Sequence, residues 1–443
     1  MVEKQTESDK TGRWASLLRH VGDDRAKRWT KLLVTFLTGQ SLVQGLNLVT
    51  GFLLLRWMSV ESYAQYTVAT AFQGTISMLA DLGVSGSIVA LVGTRFHERE
   101  TVGAYVRTAR AYRGRLFFVM ATVTVFAFPL VTQNQAWPVY EKLLLVLGVL
   151  AQIFFSAWGM YSAPLLMHRR LSDVYRAGIF PAAARLIASG LIHLLDGLTG
   201  WAITMVTAAS TALGGWMTRR AAQGLLVEPK RADSELAQEM TRHLSVLWPG
   251  MIYYALQAQI TPILLSIGGQ SAPVAEVGAL GRLSQVYLLF SGFQGVVIIP
   301  MIAATPFERL RVKYFSAVTS FVVMTLLFPA IAIIWPSPFI WLLGPNYSGL
   351  GSLIGWSLLS SSIASIGGLI YSLNAARRWM YKSMPYIYIG VGLFVQVSFV
   401  ALYGLTSVSQ AIAFGIVGGC SGLIIHIIYA TLGYRAEHAR VRV

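Results

Sequence analysis

The stretch SMLADLGVSGSI, residues 77–88, places Asp81 inside a run that is otherwise uncharged from Val68 to Val92. Runs of about 17–25 largely apolar residues are long enough to cross a bilayer as a helix. A carboxylate at the centre of such a helix costs about 2.5–3.5 kcal/mol on insertion scales. Charges at this depth face a cavity or pair with one another far more often than they face lipid. The stretch therefore predicts a membrane helix with a charge that needs a partner.

The composition of the whole chain supports a membrane protein. Hydrophobic residues make up 55% of the 443 residues and charged residues 12%, about half the charged share of a soluble protein. The single cysteine, Cys420, lies in an apolar run, so a disulfide framework and a cysteine metal site are both excluded.

Twelve runs in the sequence qualify as spanning helices, and they predict an all-α polytopic membrane protein. A weak internal likeness relates residues 53–74 to residues 263–285. Repeated halves of this kind are typical of transporters with a central site, so we expect two six-helix halves around a central cavity. The predicted spans are 32–55, 64–92, 116–131, 143–167, 177–195, 198–218, 245–267, 277–301, 314–335, 350–373, 385–404 and 407–430.

The predicted organisation has five parts. They are a basic tail at 1–31, a first half at 32–218, a linker at 219–244, a second half at 245–430 and a tail at 431–443. Within the first tail, Trp14, Leu17, Leu18 and Val21 have the spacing of a short helix on a membrane surface, and a disordered tail is the equal alternative.

The basic residues predict the orientation. If both tails are cytoplasmic, 31 of the 35 lysines and arginines fall in cytoplasmic segments, as the positive-inside rule requires. The net charge of +16 is then a topology signal, and nucleic acid is not an expected partner. The loops are too short for a catalytic domain. A P-loop, an HExxH zinc motif and a GxSxG motif are also absent, so we expect neither an enzyme nor a cofactor or metal.

Polar side chains recur on one face of two corresponding helices. Gln40, Gln44 and Asn47 follow helical spacing in the first span, and Tyr253 and Gln257 do so in the seventh. Such residues either line a water-filled cavity between the halves or hydrogen-bond neighbouring helices. The sequence leaves both interpretations open.

Two arginines also fall within predicted spans. Arg185 lies about 12 Å from the start of the fifth span at 1.5 Å per residue, near the midplane, and Arg282 lies near the outer end of the eighth. Asp81 is at a similar depth to Arg185, so we expect the two to pair in the empty protein, with proton coupling through Asp81 as the alternative.

Four segments carry a resemblance to a known family. They are LLLRWMSVESYAQYTVATA (53–71), DLGVSGSIVALVG (81–93), VAEVGALGRLSQ (274–285) and WLLGPNYSGL (341–350). These resemble motifs of the Wzx-type polysaccharide flippases, which belong to the multidrug/oligosaccharidyl-lipid/polysaccharide exporter superfamily.

The resemblance implies transport of a polyprenyl-diphosphate-linked oligosaccharide across the bacterial cytoplasmic membrane by alternating access, together with polymerase and other assembly proteins. Arg185, Arg282 and, near the outer mouth, Arg56 are then candidates to hold the diphosphate. Gln40, Gln44, Asn47, Tyr253 and Gln257 are candidates to contact the sugar. The alternatives are a drug or metabolite exporter of the same superfamily, a lipid-linked glycosyltransferase or ligase, and a scaffold subunit.

Overall fold

The structure is a computed structural model that describes residues 38–245, 248–257, 259–381 and 383–441. These residues form helices and no strand, so the predicted all-α fold class is confirmed. The tail at 1–31, with its surface helix, and the first residues of the first span lie outside the described residues.

Each predicted span corresponds to a helical segment of the described chain, and we number these segments α1–α12. The first half contains α1 (38–57), α2 (Val60–Val92), α3 (Arg99–Val131), α4 (Val139–Met167), α5 (Leu171–Leu194) and α6 (Gly200–Ala222). A linker helix at Ser234–Ser245 follows. The second half contains α7 (Trp248–Gln257 and Ile260–Ile267), α8 (271–303), α9 (Phe307–Ile334), α10 (Pro345–Ala376), α11 (Met384–Tyr403) and α12 (Val408–Val441).

Eight of these helices are long and apolar enough to cross a membrane, or nine if the two parts of α7 form one bent span. This count covers the described residues alone. The largest error in the predicted boundaries concerns α3, which begins at Arg99 rather than at residue 116. Several basic residues assigned to a loop therefore belong to a helix.

Several helices are interrupted within the described residues. In α2 the helix stops at Asp81 because Leu82 and Gly83 have φ angles of 38° and 80°, and it resumes at Val84. In α4 a 3-10 turn at Ala157–Tyr161 follows the α-helical part. The two parts of α7 meet at an angle of 54°.

The two halves share one hydrophobic core along α2. Buried residues of α2 such as Tyr63 and Phe72 belong to the same cluster as Leu280 of α8 and Ile354 of α10. Gly278 of α8 lies against Thr67, so close that a Cβ atom there would come within 2.3 Å of the threonine Oγ1. Small residues at such crossings let membrane helices approach closely.

Hydrogen bonds join the two halves at the end of the bundle opposite the basic loops. Asn134 Nδ2 donates to the Ile267 carbonyl at 2.8 Å, and Gln135 Nε2 donates to the Ser266 carbonyl at 2.9 Å. Ser271 Oγ donates to Gln135 Oε1 at 2.9 Å. We call residues 134–137 and 266–271 the seam. The seam holds the halves together at this end of the molecule.

Candidate functional site

A cavity of about 250 Å³ lies within the first half, among α1, α4, α5 and α6. Arg185 is its one charged lining residue, and the rest of the lining is polar or small. Besides Arg185, the lining residues are Asn47, Gln152, Ala177, Gly178, Pro181, Ala182, Thr207, Ser210, Thr211 and Gly214. A helix proline has no N–H to donate and leaves a carbonyl one turn earlier without its helical partner, so Pro181 adds backbone polarity to the α5 wall.

Arg185 has few partners in this cavity. Its Nη2 donates to Asn47 Oδ1 at 3.0 Å, and its Nε is buried without a hydrogen-bond partner. Gln152 Oε1 is also buried and unpartnered. Among the described residues, Arg185 forms no ion pair with a carboxylate. The cavity therefore carries a positive charge that no described carboxylate balances and a spare N–H donor, both of which suit an anion. The Gln152 oxygen is an acceptor and suits a hydroxyl donor.

Arg282 lies where α8 meets α1 and α2. Its Nε donates to Tyr63 Oη at 3.2 Å, and its guanidinium lies over the Tyr66 ring, 5.4 Å from the centroid. Gly51 of α1 gives the side chain room, because a Cβ there would lie 3.1 Å from Arg282 Cδ.

Arg56 lies apart from the cavity. Its Nη2 donates to the Trp341 carbonyl, and its guanidinium stacks 4.6 Å from the centre of the Trp341 ring. Gly344, with a φ of 93°, packs on the Arg56 side chain. Arg56 thus links α1 to the short helix Ser337–Leu343 and the Gly344 turn that precede α10, at the same end of the molecule as the seam.

The polar stripes divide into two groups. Asn47 lines the cavity, whereas Gln40 and Gln44 are half-buried on α1 and do not belong to the lining. Gln257 exchanges amide hydrogen bonds of 2.5 Å with Gln396 of α11. The Tyr253 ring lies 5.4 Å from that of Tyr388. The α7 stripe therefore hydrogen-bonds and packs within the second half, the structural alternative that the sequence left open.

The expected pairing of Asp81 with Arg185 is wrong. Asp81 Oδ1 accepts from Arg113 Nη1 of α3 at 2.9 Å. Arg113 lies between the predicted spans 64–92 and 116–131, and residues outside a span were not candidates to pair with Asp81. Arg113 lies inside α3 and is 5% exposed. Helical spacing of Val102, Val106 and Ala109 ahead of it is the signal that could have extended the helix back toward Arg99.

The described residues contain no group of three or more His, Cys, Asp or Glu side chains able to hold a metal ion. The described part of the cavity accordingly offers a guanidinium, amides and hydroxyls. Such groups bind and orient a ligand by charge and hydrogen bonding.

No protein-family model matches this chain, and no curated protein matches it in sequence. Solved structures do match. A multidrug resistance MATE family transporter of the MOP superfamily, in an inward-facing conformation, aligns with a TM-score of 0.66 at 16% identity, covering 91% of this chain and 96% of that one. The lipid II flippase MurJ, in an inward closed conformation, aligns with a TM-score of 0.68 at 12% identity, covering 90% and 87%.

A transporter structure in another conformation also matches this chain. An outward-facing structure of a multidrug resistance MATE family transporter aligns with a TM-score of 0.56 at 15% identity, covering 92% of this chain and 95% of that one. The likeness shows that the chain has the fold of these transporters, with its two halves.

Proposed function

We propose that this protein is a flippase that moves a polyprenyl-diphosphate-linked oligosaccharide from the inner to the outer leaflet of the bacterial cytoplasmic membrane. The observation that carries the proposal is Arg185, a guanidinium without a described carboxylate partner, in a polar cavity inside the first half. A charge within a membrane span is costly and marks a function by default. A diphosphate would offset that cost, because it brings negative charge next to the guanidinium.

Arginine suits this ligand because its planar guanidinium donates two parallel hydrogen bonds to phosphate oxygens. The unpartnered Nε and Gln152 Oε1 leave bonding capacity for a headgroup and its sugars. Arg282 is the second candidate, although its hydrogen bond to Tyr63 and its contact with the Tyr66 ring must loosen for it to reach a diphosphate.

The transport cycle proposed here is alternating access between the two halves. The seam and the Arg56 contact with Trp341 close one end of the bundle. We assign that end to the outer face, because the other end carries the basic loops. Both tails are then cytoplasmic, with the halves and linker at the predicted boundaries, and the exported oligosaccharide is delivered to a polymerase on the outer side.

A drug or metabolite exporter is the second candidate, since multidrug transporters share the fold. A cationic drug calls for a carboxylate in the cavity, and the charged residue that lines this cavity is an arginine. An exporter of organic anions would fit the same charge, so the ligand decides between the two candidates.

The test is leaflet transfer in proteoliposomes of a labelled polyprenyl diphosphate that carries a sugar. Arg185→Gln should abolish transfer, and Arg185→Lys should retain part of it because the charge remains. Arg176→Gln, an exposed arginine on the same helix, is the matched control and should leave transfer unchanged. Equal transfer by wild-type protein and Arg185→Gln would contradict the proposal, as would transfer of organic anions alone.

A further inference from the structure

Arg113 makes contacts with two helices at once. Its Nη1 lies 2.9 Å from Asp81 Oδ1 and donates to Ser85 Oγ at 3.0 Å, both on α2. Its Nη2 donates to Ser156 Oγ of α4 at 3.3 Å. The side chain comes from α3, whose helix runs without interruption from Arg99 to Val131.

Both contacts fall at helix interruptions. Asp81 is the last residue before the left-handed turn at Leu82 and Gly83, and its carboxylate accepts from the backbone N–H and the hydroxyl of Ser85 in the next segment. Ser156 is the last residue of the first α-helical part of α4, before the 3-10 turn that separates it from Ser162–Met167. One guanidinium on a continuous helix therefore joins the breaks of two interrupted helices.

The breaks also separate two hydrophobic clusters. Before the breaks, residues such as Ala80 of α2 and Ile153 of α4 belong to the core shared by both halves. After them, Val84 of α2 and Met160 of α4 belong to a second cluster, onto which the linker helix packs Met240. The segments beyond the breaks thus form a packed unit at the basic end, connected through the linker helix to the second half.

We infer that Arg113 is a positioning residue. Its guanidinium fixes the breaks of α2 and α4 relative to each other, and it thereby positions the part of α4 that contributes Gln152 to the cavity wall. Gln152 lies one helical turn before Ser156, so a change at the α4 break moves a residue that lines the cavity together with Arg185. The effect on ligand binding rests on the proposed function, whereas the effect on the two breaks does not.

The first experiment measures the breaks directly. Spin labels at Val89 and Leu143, exposed residues on α2 beyond its break and on α4 before its break, report their separation by pulsed electron paramagnetic resonance in a Cys420→Ser background. Arg113→Gln and Ser156→Ala should shift or broaden the distance distribution. Arg115→Gln, an exposed arginine two residues away, should not.

Ser156→Ala removes one hydroxyl and keeps the ion pair. If Arg113→Gln fails to insert into the membrane, Ser156→Ala alone still tests whether Arg113 positions the breaks. Distributions identical to wild type in the folded variants would overturn the inference, and so would an equal shift in Arg115→Gln. Arg113→Lys should restore part of the wild-type distribution, since it keeps the charge but cannot reach both breaks with a planar fork.

The second experiment measures binding of inorganic pyrophosphate to the purified protein. Ser156→Ala should weaken it by roughly tenfold, the equivalent of one charge-assisted hydrogen bond. Affinity equal to wild type would overturn the link from the breaks to the cavity. If the wild-type protein itself does not bind pyrophosphate, the proposed function fails, while the distance measurement still tests the role of Arg113.

Discussion

Arg185 donates a hydrogen bond to Asn47 across the cavity, with 3.0 Å between Nη2 and Oδ1. The amide oxygen accepts the hydrogen bond but brings no negative charge. The arginine is therefore oriented without being neutralised, and the cavity keeps its attraction for an anion. A carboxylate in place of Asn47 would orient the arginine equally well and cancel that attraction.

Asn47→Asp should therefore abolish pyrophosphate binding and leaflet transfer, whereas Asn47→Ala should weaken both only several-fold. The carboxylate would form a buried ion pair with Arg185 and compete with the ligand for the same guanidinium. Isothermal titration calorimetry with pyrophosphate measures the difference. Equal losses in the two variants would mean that the amide itself, rather than the charge balance, matters.

The seam predicts where the protein must open. Gln135→Cys and Ser271→Cys, introduced together in a Cys420→Ser background, place thiols at two side chains now joined by a 2.9 Å hydrogen bond. A short bifunctional thiosulfonate reagent should link them and stop leaflet transfer, because alternating access requires the halves to separate at this end. A reducing agent should restore transfer.

Each single cysteine variant, treated with the same reagent, is the control and should remain active. Transfer at the wild-type rate by the doubly substituted, cross-linked protein would show that the seam does not open during the cycle.

The crossing of α2 and α8 predicts a stability effect. A Cβ at position 278 would lie 2.3 Å from Thr67 Oγ1, whereas one at position 281 would have no atom within 4 Å. Gly278→Ala should thus lower the thermal unfolding midpoint in detergent through overpacking that costs about 1–3 kcal/mol. Gly281→Ala on the same helix should leave it unchanged or raise it slightly. The same midpoint for both variants would contradict this packing.

The positions of the membrane helices could be predicted from the sequence, whereas the partners of individual charged side chains could not. Apolar runs gave the position of each helix, because a span must satisfy its own backbone and cover itself with apolar side chains. The break in α2, in contrast, depends on Leu82 adopting a positive φ. A leucine does this rarely and only under tertiary constraint.

The residues of the candidate site could likewise be predicted only in part. Arg185 stood out because it lies deep in an apolar run, and it does line a cavity. Asp81 also stood out, and its need for an arginine followed from the cost of a lone charge in lipid. The identity of that arginine depends on which helices become neighbours. Arg113 was hidden among basic residues that the positive-inside rule assigns to a loop.

Arg56 offers a test of the sequence prediction against the structure. The sequence made it a candidate for diphosphate binding, whereas the structure holds it against Trp341. Arg56→Gln should therefore leave pyrophosphate affinity unchanged and destabilise the closed end at the seam, since it removes a charge-assisted hydrogen bond and a cation–π contact. A cysteine at position 271 should then react faster, by up to roughly tenfold, with a membrane-impermeant maleimide. Arg56→Lys should give an intermediate rate, because lysine keeps the charge but stacks less well on tryptophan. Loss of pyrophosphate affinity with an unchanged reaction rate would instead indicate that Arg56 binds the diphosphate.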